Sequence, residues 1–121
     1  MLWTVATARI LFGPEVNIQV PPNLSADNYE MYLDAGINDW GGVSPLTIDY
    51  VNPEAPWPQL SDLQSRSLSK GFELRPRLPI YPEFFNESHV KQSKLIRKHI
   101  DQLIDSHGYV KGGIGRYVGT D

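Results

Sequence analysis

The chain has 121 residues, of which 40% are hydrophobic, 11 are basic and 14 are acidic, for a formal net charge of −3. That length is typical of one domain, and this weak negative charge gives no reason to expect a nucleic acid or an anionic membrane as a partner. The chain contains no cysteine, which excludes disulfides, cysteine zinc sites and an iron–sulfur cluster held by this chain alone.

The beginning of the chain predicts a helix followed by a strand. Residues 2–12 are mostly apolar and precede Gly13-Pro14, a pair that stops a helix. Apolar and polar residues then alternate over residues 16–20, which is the period of a half-buried strand. Pro21-Pro22 ends this strand because proline has no N–H group to donate.

A second helix and a second strand are predicted next. Ser25 is a suitable N-cap for a helix that begins there, and Gly36 is suited to close it. Residues 37–40, with the sequence INDW, are predicted to form the second strand. A long connection then leads to Pro58, a favoured residue in the first turn of a helix.

Two more helices are predicted to flank a third strand. The helix that begins near Pro58 ends at Gly71. Residues 72–80 alternate like a strand, but two prolines restrict them to an edge or an interrupted strand. The last helix is predicted to begin at Ser88 and to end at Gly108, because its apolar residues form a stripe at helical spacing.

This order of elements predicts an α/β fold in which crossover helices join parallel strands. Three strands are few for a parallel sheet, and no strand precedes the first helix, so we expect that part of the sheet is missing upstream. Residues 1–108 are predicted to form one incomplete domain, and residues 109–121 are predicted to be a flexible tail.

The sequence predicts neither a membrane segment nor a metal site. No apolar run approaches the roughly 20 residues that span a bilayer, and the first residues lack the pattern of a secretory signal. A cytoplasmic location is therefore the default expectation. His89, His99 and His107 lie ten and eight residues apart, so no adjacent pair has the four-residue spacing of helical metal ligands.

Polar residues follow the first two predicted strands. Gln19 and Asn23 come at the end of the first strand, and Asn38, Asp39 and Ser44 come at the end of the second. In parallel α/β folds, binding and catalytic residues collect at the carboxyl ends of strands. Amide and carboxylate groups at these positions could bind hydroxyl groups, amines or a proton, which makes these loops the candidate site.

The long connection after the second strand is predicted to be a loop on the functional rim. Gly41-Gly42 would let the backbone turn tightly or approach a ligand closely. Long ordered loops are often functional. However, Asn, Asp and Gly also form ordinary turns, and tryptophans in such a loop can form a small core beneath it. Both interpretations stay open at this point.

Two stretches of this region resemble a known family. "IQVPPNLS" and "GINDWGGVSPLTIDYVNPEAPWPQL" resemble the C-terminal half of the radical S-adenosylmethionine subunit of FO synthase. "ATARILFGPEVNIQ" and "GFELRPRLPIYPEF" resemble it as well, so that the resemblance covers residues 1–85 and more. It implies the C-terminal part of a partial (β/α) TIM-like barrel.

The resemblance also implies a chemistry. The family holds a [4Fe–4S] cluster through a Cys-x3-Cys-x2-Cys motif and cleaves S-adenosylmethionine to a radical. That radical acts on a tyrosine-derived ribitylaminouracil adduct to give FO, which is 7,8-didemethyl-8-hydroxy-5-deazariboflavin, a deazaflavin coenzyme precursor. The implied partners are this small-molecule substrate and the partner subunit of FO synthase.

The matching motifs carry the implied site residues. Contacts to S-adenosylmethionine or substrate are implied for Gln19, Asn23, Asn38, Asp39 and Ser44. Among these, Asp39 is the best candidate for a substrate contact or a proton transfer. The implied rim loop contains Gly41, Gly42, Asp49, Asn52, Glu54 and Trp57.

The chain departs from the family because it has no cysteine to hold the cluster. We therefore expect a fragment of a radical lyase that is inactive by itself. The alternative is a non-catalytic remnant, or an assembly module that pairs with a separate N-terminal half.

Overall fold

The computed structural model describes residues 1–86 and 93–118. It divides the chain into two compact units, Met1–Glu73 and Leu74–Asp121. The domain boundary predicted after Gly108 therefore falls inside the second unit. Within that unit Val110 is buried, and its N–H donates to the Pro76 carbonyl at 3.0 Å.

Three α-helices form the frame of the first unit. They are α1 (Leu2–Phe12), α2 (Met31–Ala35) and α3 (Leu60–Ser69). The bounds of α1 confirm the prediction, and Gly13 follows it with φ 80°. α1 packs against α2, and Val5 is the buried residue of α1.

The predicted N-cap at Ser25 is wrong. Ser25 is the last residue of a 3-10 turn, Pro22–Ser25, and α2 begins only at Met31. Between them, two N–H groups donate to the carbonyl three residues earlier, Asn28 to Ser25 and Met31 to Asn28, both at 3.1 Å. These tighter turns use the N–H groups that a longer α-helix would need.

The first two predicted strands pair in parallel, but over one bridge only. Gln19 and Asp39 form this bridge. The Val20 N–H donates to the Asp39 carbonyl at 3.2 Å, and the Asn38 N–H donates to the Ile18 carbonyl at 3.1 Å. Helices are the main regular elements of the described residues, which form no extended sheet and no barrel.

The prediction of a third strand over residues 72–80 is wrong. Residues 72–80 form no ladder. Pro76 and Pro79 explain this, because each removes a donor that a ladder would need. The Pro76 carbonyl still accepts one backbone bond, from Val110.

The core of the first unit contains two aromatic rings in edge-to-face contact. Tyr29 and Trp40 are buried, with ring centroids 5.4 Å apart and an angle of 84° between their planes. The Trp40 indole N–H donates to Ser67 Oγ at 3.2 Å, which satisfies two buried polar groups at once. Trp40 is therefore a core residue, and its hydrogen bond connects the end of the second paired segment to α3.

Arg9 ties the end of α1 to the end of α2. Its Nε donates to the Gly36 carbonyl at 2.7 Å. One terminal nitrogen donates to the carbonyls of Gly13 at 2.8 Å and Val16 at 2.7 Å. Gly36 closes α2 in the left-handed conformation with φ 118°, which confirms the predicted role of this glycine.

The second unit contains α4 (Lys94–Leu103) and the 3-10 turns Pro82–Asn86 and Ile114–Arg116. Ser93 caps α4, since its Oγ accepts from the Ile96 N–H at 3.3 Å. The predicted cap, Ser88, lies outside the described residues.

The last helix ends earlier than predicted. Ile104 is already extended, with φ −102° and ψ 152°, and it forms an antiparallel bridge with Val110. Asp105 gives the physical reason, because its Oδ1 accepts from the N–H groups of His107 at 2.8 Å and Tyr109 at 3.1 Å. This carboxylate stabilises a turn in place of further helix.

None of the described helices combines the length and the apolar character that crossing a membrane requires.

Candidate functional site

The ends of the two paired segments meet at one place. Gln19 and Asp39 are bridge partners, and Gly41 follows Asp39 with φ 74°. The Asp39 carboxylate accepts from the Gly41 N–H at 2.7 Å. A methyl group built on Gly41 would lie 3.7 Å from the carboxamide carbon of Gln19. The structure thus brings together three of the residues that the sequence analysis singled out.

Asn38 and Ser44 are used in local hydrogen bonds. Asn38 Oδ1 accepts from the Ile18 N–H at 2.8 Å, and its Nδ2 donates to Asn17 Oδ1 at 2.7 Å. Ser44 Oγ accepts from the N–H and the hydroxyl of Thr47, at 3.2 and 2.8 Å. The contacts of Asn38 join the two paired segments, and those of Ser44 shape a turn.

Asn23 anchors the long connection through two hydrogen bonds. Its side chain is only 3% exposed, and its Nδ2 donates to Asp49 Oδ2 at 2.9 Å and to the Ala55 carbonyl at 3.1 Å. Asn23 Oδ1 is buried and has no hydrogen-bond partner among the described residues. An unpaired buried acceptor costs about 1–3 kcal/mol, so this atom marks a place where a donor from outside these residues would stabilise the protein.

Asp49 stabilises the same loop through hydrogen bonds within it. Its Oδ1 accepts from the N–H groups of Val51 at 2.9 Å and Asn52 at 3.2 Å, and its Oδ2 accepts from Asn52 Nδ2 at 3.3 Å. The hydrogen bond from Asn23 is the main cause that lowers the pKa of Asp49 below its usual value, and the bonds from Val51 and Asn52 act in the same direction.

Acid is expected to loosen this loop. Since the folded state lowers the pKa of Asp49, its contribution to stability is complete above the unfolded value of 3.8 and is lost as the pH falls through the lower folded value. Asp49→Asn is expected to flatten the dependence of the free energy of unfolding on pH below about pH 4. Urea unfolding between pH 7 and pH 3 measures this. Asp27→Asn, at an exposed position, is the control, and equal slopes for the two variants would contradict the assignment.

The other rim residues differ in exposure. Gly42 and Glu54 are exposed, and Trp57 is half-buried. A methyl group built on Gly42 would have no neighbour within 4 Å. The hydrogen bonds that attach the loop to the rest of the unit run from Asn23 to Asp49 and to the Ala55 carbonyl.

The sequence analysis missed a buried polar group next to the bridge. The Tyr29 hydroxyl donates to Asp62 Oδ2 at 2.8 Å, and the Arg66 guanidinium lies 4.6 Å from the Tyr29 ring centroid. Burial raises the pKa of Tyr29 well above its usual value, and the bond to Asp62 raises it further. Asp62 and Arg66 also form an ion pair at 3.2 Å, and their four-residue spacing on α3 was the only signal in the sequence.

No three acidic or histidine side chains lie together as a candidate metal site in residues 1–86 and 93–118. His89 lies outside the described residues.

Comparison with curated proteins identifies relatives of this chain. The FO synthase of Streptomyces coelicolor is 52% identical over 101 residues, which are 84% of this chain and 12% of that protein. The 7,8-didemethyl-8-hydroxy-5-deazariboflavin synthase of Methanopyrus kandleri is 48% identical over 111 residues, which are 92% of this chain and 32% of that protein. Most of this chain is homologous to a segment of FO synthase.

A third relative also matches most of this chain but only part of its own length. The 7,8-didemethyl-8-hydroxy-5-deazariboflavin synthase of Methanothermobacter thermautotrophicus is 48% identical over 103 residues, which are 85% of this chain and 30% of that protein. The chain therefore spans a third or less of the length of these FO synthases. No family model matches the chain, and no solved structure matches it at a significant level.

Proposed function

We propose that this chain is a segment of a radical S-adenosylmethionine enzyme that forms FO in deazaflavin coenzyme biosynthesis. The observation that carries the proposal is the 48% identity to the synthase of Methanopyrus kandleri over 92% of this chain. Since that match is only 32% of the relative, the activity belongs to a protein with further residues, and the present chain is inactive by itself. A tyrosine-derived ribitylaminouracil adduct is the proposed substrate of that whole protein.

The parallel bridge supports a place for this segment in a (β/α) barrel. Parallel strands need crossover connections, and the chain between Gln19 and Asp39 contains α2 as such a connection. Gln19 and Asp39 lie where the two paired segments end, and barrel enzymes bind their substrates at that end of the strands. We assign the polar contacts to the substrate to these two residues, with Asp39 as the group that holds or moves a proton.

The residues of this chain do not fit an iron–sulfur cluster, because there is no cysteine thiolate to bind iron. Gln19 and Asp39, which are bridge partners, carry acceptor oxygens of the kind that the amino and hydroxyl groups of S-adenosylmethionine need, and so could form part of its site. When bound to the whole protein, S-adenosylmethionine supplies the radical chemistry. This chain would bind and orient it, while Asn23 and Asp49 keep the loop closed against water.

A chimeric enzyme tests the proposal. The matched 111-residue stretch of the Methanopyrus kandleri synthase is replaced by the corresponding residues of this chain. The chimera is expected to form FO from the parent enzyme's substrates, and the isolated chain is expected to form none. Asp39→Asn in the chimera is expected to lower the rate by about 100-fold or more, as loss of a proton-transfer group does.

The control variant is Asp34→Asn, which removes a carboxylate that pairs with Lys70 at 2.5 Å. This pair is exposed, so the variant is expected to keep the activity of the chimera. A folded chimera without FO formation would contradict the proposed function and favour a non-catalytic remnant. A chimera whose rate does not depend on Asp39 would contradict the role of that residue alone.

A further inference from the structure

α1 carries apolar side chains on two opposite faces. Val5 is 5% exposed and lies on the face that packs inward. Trp3, Ile10 and Leu11 are 78%, 81% and 75% exposed. At 3.6 residues per turn, Trp3 and Ile10 lie on the same side of the helix. Trp3 is about 160° around the helix axis from Val5, which is nearly opposite. Leu11 lies about 80° around the axis from Trp3, beyond Thr7, and widens the exposed surface.

This second face carries no charged side chain, and its polar groups are the hydroxyls of Thr4 and Thr7. α1 contains a single charged residue, Arg9, and that side chain is bound to the carbonyls of Gly13, Val16 and Gly36. A surface helix normally has a charged or polar outer face, whereas the outer face of α1 presents large apolar side chains. Single exposed apolar residues are ordinary, but three large exposed apolar side chains on one side of a short helix mark an interaction surface.

The length of the relatives indicates what covers this surface. The matched residues are 32% of the Methanopyrus kandleri synthase, so about two thirds of that protein has no counterpart in this chain. The exposed stripe is uncharged, so it suits another apolar polypeptide surface and offers nothing to a charged ligand.

We infer that Trp3, Ile10 and Leu11 form the face on which the remaining part of an FO synthase chain docks. This inference rests on the proposed function and extends it, because it names the residues that join this segment to the rest of the enzyme. Docking would turn α1 from a half-exposed helix into one buried between two layers, with Arg9 still closing its C-terminal end.

Fluorescence of Trp3 in the same chimera tests the inference. The emission of Trp3 is obtained as the difference between each protein and its Trp3→Phe variant. In the isolated chain this difference spectrum is expected to be that of a solvated indole. In the chimera it is expected to shift to shorter wavelength and to lose accessibility to a soluble quencher, because docking removes Trp3 from water.

A stability measurement gives a second, independent test. Ile10→Asp is expected to lower the melting temperature of the chimera by several degrees and to leave that of the isolated chain unchanged, since Ile10 is solvated there. Ser65→Asp, which also introduces a carboxylate at an exposed helical position, is the control and is expected to change neither.

Each other outcome has a definite meaning. A folded, FO-forming chimera in which Trp3 stays solvated would overturn the docking face and leave the proposed function intact. A chimera that does not fold, while the parent synthase does, would overturn both. An isolated chain that forms a concentration-dependent dimer with Trp3 already shielded would assign the face to a second copy and overturn the inference.

Discussion

Asn23→Asp is expected to lower the free energy of unfolding of the first unit by about 3–5 kcal/mol at pH 7. The substitution preserves the shape of the side chain but replaces the Nδ2 donor with an oxygen. That oxygen would face Asp49 Oδ2 and the Ala55 carbonyl, which now lie 2.9 and 3.1 Å from Nδ2. Two hydrogen bonds would be lost, and a buried carboxylate would oppose a second one.

Urea unfolding at pH 7 measures this loss. Tryptophan fluorescence is a suitable probe, because all three tryptophans, Trp3, Trp40 and Trp57, lie in the first unit. Asn28→Asp makes the same chemical change at an exposed position and is expected to cost less than about 0.5 kcal/mol. Equal unfolding curves for the two variants would show that Asn23 does not anchor the loop.

The pH dependence of Asn23→Asp has a definite sign. Burial next to Asp49 would raise the pKa of the introduced carboxyl in the folded state, so the penalty is complete above that raised pKa. The electrostatic part of this penalty is expected to shrink as the pH falls and the group becomes protonated, and to be absent below the unfolded value of about 3.9. The loss of one donor remains, because a protonated carboxyl has one O–H in place of two N–H groups. Adding Asp49→Asn to the variant should restore much of the stability at pH 7, because an amide at that position could donate to the introduced carboxylate.

Gly36→Ala is expected to lower the free energy of unfolding by about 2–4 kcal/mol, from backbone strain and overpacking together. Gly36 has φ 118°, where a side chain is strained. A methyl group built on Gly36 would also lie 2.8 Å from both Cβ and Cγ of Arg9. The Arg9 side chain cannot move aside freely, because its guanidinium binds three carbonyls.

Gly71→Ala separates the two contributions. Gly71 also has a positive φ, 83°, but a methyl group there would have no neighbour within 4 Å. This control is therefore expected to cost only the conformational strain of about 1–2 kcal/mol. Urea unfolding of both variants gives the comparison. If Gly36→Ala cost no more than Gly71→Ala, the close packing of Arg9 against Gly36 would contribute nothing to stability.

Local signals predicted the elements whose geometry depends on neighbours in the chain. The run from Leu2 to Phe12 contains no breaker and stops at Gly13-Pro14, and α1 has these bounds. Gly36 closes α2 as predicted, since the left-handed conformation at a helix end favours glycine. Alternating residues before Pro21 and the INDW segment predicted two parallel segments, and these segments meet at Gln19 and Asp39.

Side-chain hydrogen bonds and prolines that an apolar pattern does not record decided the points on which the predictions were wrong. Ser25 has the chemistry of an N-cap, but its Oγ is 2.9 Å from the Tyr32 hydroxyl, and its neighbours form 3-10 turns. Residues 72–80 have the alternation of a strand, but Pro76 and Pro79 leave too few donors for a ladder. The end of α4 depends on Asp105, whose carboxylate competes for N–H groups of the next turn.

The sequence by itself determined α1, the glycine that closes α2 and the relation to FO synthase, because local propensity and motif identity are properties of consecutive residues. Only the tertiary structure decided what the polar residues of the long connection do. Asn23 contacts Asp49 and Ala55, which are 26 and 32 residues away, and Trp40 contacts Ser67, which is 27 residues away. No periodicity records which distant group a donor will meet, because that depends on how the intervening elements pack.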